Sequence, residues 1–362
     1  MNPRILFLLK YRHTYDHPYG DDPTVALSSG LLNSASFVVE MLQQEGYEVK
    51  LAQVIDNNSI DREVHDYKPT HVIIEALWVV PEKFEVLQKL HPHVKWIIRG
   101  HSELPFLSNE GIAIDWLCRY VHHKNVYIAA NSERSTADFR RIIHAANPNW
   151  SERKLHEKVL LLPNWYPLHA QHPHHKRDEE KDENLLDIAC FGAIRPLKNQ
   201  LIQAVAAIEY ADIMGKTLRF HMNAGRCEQK GDSVLRNIES LFKHTPKHSL
   251  VKHGWLEHKD FVRVLGKMDI GMQVSLSETF NIVTADMLVV GLPIVVSPEV
   301  TWACSWSQAQ PTSTDDIVNK LLKVNDWRLR LAIRIMNMRG LRAYCNESVE
   351  MWHKFLQRHD LM

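Results

Sequence analysis

The stretch SETFNIVTADMLVVGLPIV, residues 277–295, passes from an acidic loop through an apolar helix-like run to a strand-like run. Four of its apolar residues repeat at helical spacing: Ile282, Ala285, Leu288 and Val289. This spacing predicts a helix that begins at or near Asn281. The strand-like run DIGMQVS precedes the stretch, so the segment is typical of a parallel βαβ unit, whose helix begins where ligands bind to open α/β sheets.

The same alternation continues outward in both directions. Upstream, the apolar runs RILFLL, THVIIEALWV, VKWIIRG and VYIAANS are typical of strands buried on both faces of a parallel sheet. Downstream of a charged segment at 167–185 the pattern restarts, with LDIACFGAI, TLRFHMNAG and LPIVVS as strands. The sequence therefore predicts an α/β protein with two doubly wound, Rossmann-like domains facing a central cleft, the first over 1–166 and the second from 186.

Composition narrows the class of protein. The 362 residues suit two domains, and Lys plus Arg equals Asp plus Glu at 43 each, so the overall charge favours neither nucleic acid nor anionic membrane. Only a local basic face is compatible with that balance. The five cysteines have no Cys-x-x-Cys spacing and are typical of reduced thiols, which predicts a cytoplasmic protein. The first apolar run is only five residues long, Ile5 to Leu9, and no run reaches the length of a membrane span.

Two carboxylates flank the start of the predicted helix. The free N–H groups and positive dipole end of a helix favour phosphate oxygens, so neighbouring carboxylates are better suited to sugar hydroxyls. Asp286 lies roughly 7 Å along the helix from its start, about the distance from a diphosphate to the ribose of the same nucleotide. Glu278 lies in the loop on the other side. This spacing predicts a diphosphate between the two, with one carboxylate holding a donor sugar and the other holding the ribose.

At these residues the chain resembles retaining glycosyltransferases with the GT-B fold, in particular glycosyltransferase family 4. The family signature of two acids separated by seven residues stands here as Ser275, Glu278, Phe280 and Asp286, followed by Gly-Leu-Pro at 291–293. The second acid is Asp instead of Glu. The resemblance implies that Glu278 orients the donor sugar in catalysis and that three further residues bind the donor nucleotide: Phe280, Asn281 and Asp286.

Further segments resemble the family in the same order along the chain. FGAIRPLKN resembles the segment whose cations hold the donor diphosphate, here Arg195 and Lys198, although Arg195 is displaced from its usual place. VKHGWLEHKD resembles the stretch that flanks the base and includes Trp255. In the first domain, SSGLLNSASF resembles the glycine loop and selects Gly30, and IIRGHSE selects His101 as a catalytic residue that approaches the donor sugar.

The resemblance also assigns roles to the domains. It implies an acceptor-side domain at 1–166, a linker or loop at 167–185, a nucleotide-sugar-binding domain at 186–340 and a helix at 341–362 that crosses back to the first domain. The implied reaction transfers a sugar, with UDP-hexose as the best guess, to a hydroxyl acceptor with retention. No metal or resident cofactor is expected, because the chain lacks an Asp-x-Asp motif. A histidine group at 169–175 is interpreted as solvated linker, because it lacks metal-ligand spacing.

The sequence does not identify the acceptor molecule. A polysaccharide, a lipid-linked molecule and a small molecule are all compatible with the sequence. A hydroxymethylated pyrimidine in DNA is a further alternative, because the loop from Tyr11 to Tyr19 carries Arg12 and tyrosines that could contact a backbone and an unstacked base. A non-catalytic nucleotide-sugar or protein-binding module with the same fold is the alternative from another class.

Overall fold

The structure is a computed structural model that describes residues 3–10, 30–168 and 182–359. Within those ranges the strands are β1 Arg4–Lys10, β2 Glu48–Val54, β3 His71–Glu75, β4 Lys95–Gly100, β5 Val126–Ala130, β6 Val159–Leu161, β7 Leu185–Ala189, β8 Thr217–Asn223, β9 Ser249–His253, β10 Ile270–Gln273 and β11 Ile294–Val296. The helices are α1 Gly30–Gln44, α2 Ser59–Tyr67, α3 Lys83–Leu90, α4 Leu104–Leu107, α5 Ala113–Tyr120, α6 Glu133–Ala146, α7 Glu152–Lys158, α8 Gln200–Ile213, α9 Gly231–His244, α10 His258–Leu265, α11 Ile282–Val290, α12 Thr314–Asn325 and α13 Arg330–His359.

The chain forms two compact units. Their described residues are 3–10, 30–167 and 345–359 in the first unit, and 168 and 182–344 in the second. Each unit has its own apolar core. The predicted α/β class with two parallel sheets is therefore confirmed, whereas the expected cleft stays a prediction.

The first unit is built on a six-stranded parallel sheet of order β2-β1-β3-β4-β5-β6. Its central strands are buried along their whole length, as in the all-buried run HVIIE of β3. Such strands are covered by helices on both faces, which explains why their sequences are nearly continuous apolar runs. The charged residue that ends β3, Glu75, is the exception and is itself fully buried.

The second unit is built on a five-stranded parallel sheet of order β11-β10-β7-β8-β9. The neighbouring strands β7 and β10 lie at its centre, so their carboxyl ends lie side by side. A backbone hydrogen bond of 2.8 Å from Leu276 N to Leu197 O joins the loops that follow them. The two loops that carry most of the predicted site residues are thereby held together.

Helix α11 begins where the sequence predicts but is buried on more sides. Asn281 is its N-cap, and its end at Val290 is fixed by Gly291, whose φ of 111° lies in the left-handed region that favours glycine. Sequence spacing predicted a single apolar face, yet Asp286 and Met287 are also buried, so that prediction was wrong in extent. A helix apolar around most of its circumference has little periodic signal.

The last helix, α13, contributes its C-terminal part to the first unit. Trp352 is fully buried there, and its Nε1 donates a 3.0 Å hydrogen bond to the carbonyl oxygen of Pro163. The ring also lies 5.8 Å from that of Phe7 and accepts a cation–π contact from Arg99 at 5.5 Å. Among all these described helices, none combines the length and apolarity needed to cross a membrane.

Candidate functional site

A largely buried charge pair of the second unit joins two loops at the carboxyl end of its sheet. Lys198 follows β7 in a short 3-10 turn, Glu278 follows β10, and the Lys198 ammonium contacts the Glu278 carboxylate in an ion pair. Their side chains are only 14% and 9% exposed, so the pair is largely withdrawn from water. Two residues that sequence analysis selected independently, 80 positions apart, are thus brought together.

Burial sets the ionisation behaviour of Lys198. Loss of solvation lowers the pKa of its ammonium below the ordinary value, and the Glu278 carboxylate opposes this shift without reversing it. An anion of higher charge that replaced or joined Glu278 would stabilise the ammonium further. The pair therefore suits the binding of an anion that carries more charge than the Glu278 carboxylate.

Arg195 lies three residues before Lys198 and shares an acidic partner with a second arginine. Glu228 accepts from Arg226 at 2.5 Å and lies 3.5 Å from Arg195. The Arg226 guanidinium also lies over the ring of Trp255 at 5.1 Å. The structure thereby links two predicted residues, Arg195 and Trp255, through an arginine that sequence analysis did not select.

The loop between β7 and Arg195 depends on one glycine. Gly192 has φ of 117°, a conformation that residues with a Cβ rarely adopt, and its N–H donates to Asn223 Oδ1 at 2.9 Å. Asn223 Nδ2 donates in turn to the Gly254 carbonyl at 3.3 Å. The loops after β7, β8 and β9 are consequently tied together at one edge of the sheet.

The N-terminus of α11 lies directly beyond Glu278. Asn281 adopts φ of 57°, its Oδ1 accepts from Thr284 N at 3.0 Å, and its Nδ2 donates to Gln273 Oε1 at 3.0 Å. A capping residue that is itself held by a strand residue fixes the helix end rigidly. Two buried hydroxyls, Ser275 Oγ and Thr284 Oγ1, have no hydrogen-bond partner among the described residues. Polar atoms of this kind at a helix N-terminus suit a ligand with several oxygens.

Asp286 lies on α11 one turn further in and is almost completely buried. Its Oδ1 forms a 2.8 Å hydrogen bond with His258 Nε2, on the first turn of α10. Burial alone would lower the pKa of His258, but the hydrogen bond and charge of Asp286 outweigh it and raise that pKa above the ordinary value. Asp286 therefore favours the protonated form of His258.

Phe280 is a core residue in this structure. Its ring is 1% exposed, stacks on Tyr344 at 5.0 Å and lies 6.0 Å from the ring of Trp302. The indole N–H of Trp302 also donates to the Phe280 carbonyl at 2.8 Å. The ring therefore anchors the loop that carries Glu278, a positioning role that differs from the donor contact that sequence analysis assigned to it.

In the first unit, the predicted residue His101 belongs to a buried charged network. Glu75 at the end of β3 accepts from Arg99 at 3.0 and 3.1 Å and contacts His101 Nε2 in a short hydrogen bond. Arg99 donates further to Asn164 Oδ1 at 2.5 Å and to the Leu162 carbonyl at 2.9 Å. The residue after Glu75 is Ala76, whose φ of 71° is uncommon for a residue with a Cβ and marks local strain.

The network assigns the protonation state of His101. The Glu75 carboxylate can only accept, so His101 Nε2 carries a proton and donates to it. Burial lowers the pKa of His101 below its usual value, with Arg99 acting in the same direction and Glu75 opposing. For Glu75, burial alone would raise the pKa, but the Arg99 guanidinium charge and the hydrogen bonds from Arg99 and His101 lower it. The pair is therefore a neutral imidazole held by a carboxylate.

For the remaining predicted residues, the structure gives the position of Gly30 only. Gly30 is the first residue of α1 and is half-buried. The Tyr11 to Tyr19 loop lies outside the described residues, as does the histidine group at 169–175.

Four functional candidates escaped sequence analysis: Glu75, Arg99, Arg226 and His258. The first two carry a usable signal, because each is a charged residue at the end of an otherwise apolar strand run, HVIIE and WIIRG. A charge in such a position must be paired, and its partner lies on the neighbouring strand. Arg226 and His258 carry no comparable signal, since arginine and histidine in a loop or a first helical turn are most often solvated.

Comparison with known proteins supports the fold. No family model matches the chain, and no curated protein matches it in sequence. Among solved structures, HepE of Anabaena in complex with UDP and glucose is similar over 99% of this chain and 100% of its own, with 11% identity and a TM-score of 0.63. The trehalose-6-phosphate synthase OtsA is similar over 98% and 99%, with 10% identity and a TM-score of 0.72.

A third similar structure is a trehalose-6-phosphate synthase studied with bisubstrate glycomimetics to explain glycosyl transfer with retention. It covers 83% of this chain and 77% of its own, with 11% identity and a TM-score of 0.62. At these identities the similarity establishes fold alone. The chain has the GT-B fold of these glycosyltransferases, with two Rossmann-like domains, and the predicted resemblance is confirmed at that level.

Proposed function

We propose that this protein transfers a sugar from a nucleotide-diphosphate sugar, UDP-hexose being the best candidate, to a hydroxyl acceptor with retention at the anomeric carbon. The observation that carries the proposal is the Lys198–Glu278 pair, buried at the carboxyl ends of two adjacent parallel strands and next to the N-terminus of α11. This is the place where open α/β sheets bind nucleotides. UDP is the nucleotide bound in the similar HepE structure, which favours uridine.

Lys198 is the proposed anchor for the donor diphosphate, and Arg195 supports it. The diphosphate carries more charge than the Glu278 carboxylate, so it competes for the Lys198 ammonium when the donor binds. The N–H groups at the start of α11 add a second source of stabilisation. As the glycosidic bond to phosphate breaks, this fixed positive charge stabilises the leaving diphosphate without a metal ion.

Glu278 is the proposed ligand of the donor sugar. A carboxylate released from Lys198 accepts two hydrogen bonds from sugar hydroxyls, which holds the anomeric carbon in reacting geometry. Retention follows if the acceptor hydroxyl attacks on the same face as the departing diphosphate, with a phosphate oxygen taking the hydroxyl proton. His101, whose Nε2 contacts Glu75, is a further proposed ligand of the donor sugar.

Asp286 is the proposed ligand of the ribose, with Trp255 beside the base. His258 forms a hydrogen bond with one carboxylate oxygen of Asp286, and this bond fixes the orientation of the Asp286 side chain on α11. The fixed orientation supports recognition of a vicinal diol, because two hydroxyls must meet one carboxylate. Asn281 contributes by holding the helix end in place.

A thermal-shift series followed by a turnover assay tests the proposal. UDP-glucose, UDP-galactose, UDP-N-acetylglucosamine, GDP-mannose and ADP-glucose are each added in excess, and a ligand at 100 times its Kd stabilises by about 2.7 kcal/mol. We expect one nucleotide sugar to raise the melting temperature and to be hydrolysed slowly without an acceptor. Stabilisation without any hydrolysis would support a non-catalytic binding module, and no stabilisation by any donor would overturn the proposal.

A further inference from the structure

The start of the last helix exposes apolar and basic side chains together. Trp327 precedes α13 and is 84% exposed, and Leu331 and Ile335 follow on one helical face at 66% and 42% exposed. Leu331 and Ile335 are four apart on the helix and lie one above the other, and Trp327 is exposed in the turn that leads into it, so the three side chains form an apolar stripe. We call the surface formed by Trp327, Leu331 and Ile335 the α13 face, and it includes the neighbouring Arg334, Arg339 and Arg342.

The segment that carries this stripe is basic in sequence. Between Trp327 and Asn346 the chain carries five arginines and no acidic residue: Arg328, Arg330, Arg334, Arg339 and Arg342. At 100° per residue, Arg334 lies on one side of the stripe, Arg339 on the other, and Arg342 continues its line. These three arginines form no ion pair with any residue in the described ranges, whereas Arg328 is paired with Asp326 at 2.9 Å.

A cavity of about 520 Å³ lies beside the same stripe. Its lining includes Trp327 and Leu331 from the stripe, the guanidinium-bearing side chains Arg330 and Arg334, and the apolar residues Val290 and Leu292. All of these residues belong to the second unit. A hollow that combines two arginines with apolar walls suits a group with an anionic head and an apolar body.

We propose that the α13 face binds the surface of an anionic phospholipid bilayer. Trp, Leu and Ile side chains on one side of a basic amphipathic helix are buried about 5–10 Å into the boundary between headgroups and acyl chains. The arginines meet lipid phosphates, and their aliphatic stems lie along the apolar stripe. A protein partner would have to place acids opposite Arg334, Arg339 and Arg342, whereas an anionic bilayer offers phosphates along the whole stripe.

This inference goes beyond the proposed function and does not depend on it. A membrane-bound enzyme would act on an acceptor presented at the bilayer, but bilayer binding can be measured without any donor or acceptor. Failure of one proposal therefore leaves the other unaffected.

Cosedimentation with vesicles tests the inference. The full chain is mixed with extruded vesicles of phosphatidylcholine alone or with about 30% phosphatidylglycerol, at two salt concentrations. We expect binding to the anionic vesicles at low salt, weak binding to neutral ones and a decrease as salt rises. Each basic residue near an anionic surface contributes about 1 kcal/mol, so R334Q with R339Q should weaken binding by roughly 25-fold. W327S with L331S should also weaken it, because the inserted area is lost.

A matched control uses another exposed apolar pair. Val86 and Leu90 lie four apart on α3 and are 49% and 55% exposed, but the lysines of this helix are balanced by Glu82 and Glu85. V86S with L90S should leave vesicle binding unchanged. Equal binding to neutral and anionic vesicles, or no binding to either, would overturn the inference. If W327S with L331S instead dissociated a dimer in sedimentation velocity, the face would bind a second copy of the chain and the membrane proposal would be wrong.

Discussion

At the scale of single residues, the central feature is the ion pair between the Lys198 ammonium and the Glu278 carboxylate. Lys198 and Glu278 are buried to a similar degree, so each would carry a high desolvation cost without its partner. A ligand that separates the pair must therefore provide a new hydrogen-bonding or ionic partner for each group. A nucleotide-diphosphate sugar does so, because its phosphates suit the cation and its hydroxyls suit the carboxylate.

The first prediction concerns Glu278→Gln. The amide cannot accept the same pair of hydrogen bonds from sugar hydroxyls, so turnover should fall by roughly 100-fold or more while the fold persists. Steady-state kinetics with the best donor measures the effect, and circular dichroism checks folding. Glu209→Gln, on the exposed side of α8, is the matched control and should behave as wild type. Wild-type turnover in Glu278→Gln would remove this residue from the site.

The second prediction concerns the pH dependence of His258. Its folded-state pKa is raised above the ordinary value of 6.5, so its stabilising contribution is complete below that value and is lost as the pH rises through the folded pKa. His258→Gln should therefore lower the free energy of unfolding by roughly 1–3 kcal/mol near pH 6 and by much less near pH 9.

Urea unfolding at the two pH values measures this difference. His93→Gln is the control, since His93 is exposed and should change stability little at either pH. A loss that is equal at both pH values would show that His258 contributes by packing alone, and that Asp286 needs no imidazolium beside it.

At the scale of elements, the network of Glu75 and Arg99 joins β3 and β4 to the segment after β6. Both side chains are fully buried, and Arg99 reaches the Leu162 carbonyl and Asn164 as well as Glu75. Because the three strand ends share one arginine, their carboxyl edge is held as a unit. His101 lies at that edge, and its contact with Glu75 fixes the orientation of its ring.

The third prediction separates removal of one charge from removal of both. Arg99→Leu leaves the buried Glu75 carboxylate without its guanidinium partner and should cost about 3–5 kcal/mol of stability. Arg99→Leu combined with Glu75→Leu should be more stable than Arg99→Leu alone, because no charge stays buried. Arg119→Leu, which breaks an exposed pair with Asp115, is the control and should cost less than about 1 kcal/mol. Additive losses in the double variant would contradict the account.

The elements also show what sequence could and could not predict. Strands such as β3 and β5 were predictable because burial on both faces requires continuous apolar runs. The start of α11 was predictable because Asn281 is a capping residue before an apolar run. The extent of its burial was not, since a helix buried around most of its circumference lacks a polar face that would reveal its orientation.

Pairings between distant residues were the least predictable. The contact of Lys198 with Glu278 depends on β7 and β10 being neighbours, which sequence spacing alone does not specify. The link from Arg226 to Arg195 through Glu228 depends in the same way on adjacent strands β7 and β8. The residue types were selected from a resemblance, but their partners became visible only once the strand order was known.

At the scale of the whole molecule, the two units have separate cores and carry different predicted residues. The diphosphate, ribose and base ligands all belong to the second unit, whereas His101 belongs to the first. Nucleotide binding should therefore be a property of the second unit, with the first contributing to the reaction of the sugar.

The fourth prediction follows from this division. On addition of UDP, hydrogen exchange should slow in the loops that follow β7 and β10 and at the start of α11, because the ligand binds N–H groups there. The strands β1 and β3 should exchange as before. Mass spectrometry of peptides from both units measures the pattern, and protection confined to the first unit would contradict the assignment.

The most direct test of the central claim is the affinity of Lys198→Ala for UDP and for UMP, measured by titration calorimetry beside wild type and Lys252→Ala. Lys252 forms an exposed pair with Glu239 in the same unit and should not matter. If Lys198 binds the diphosphate, wild type should prefer UDP to UMP, and Lys198→Ala should lose roughly 2–3 kcal/mol of UDP affinity with little change for UMP. An unchanged preference for UDP in Lys198→Ala would show that the diphosphate binds elsewhere and would contradict the proposed site.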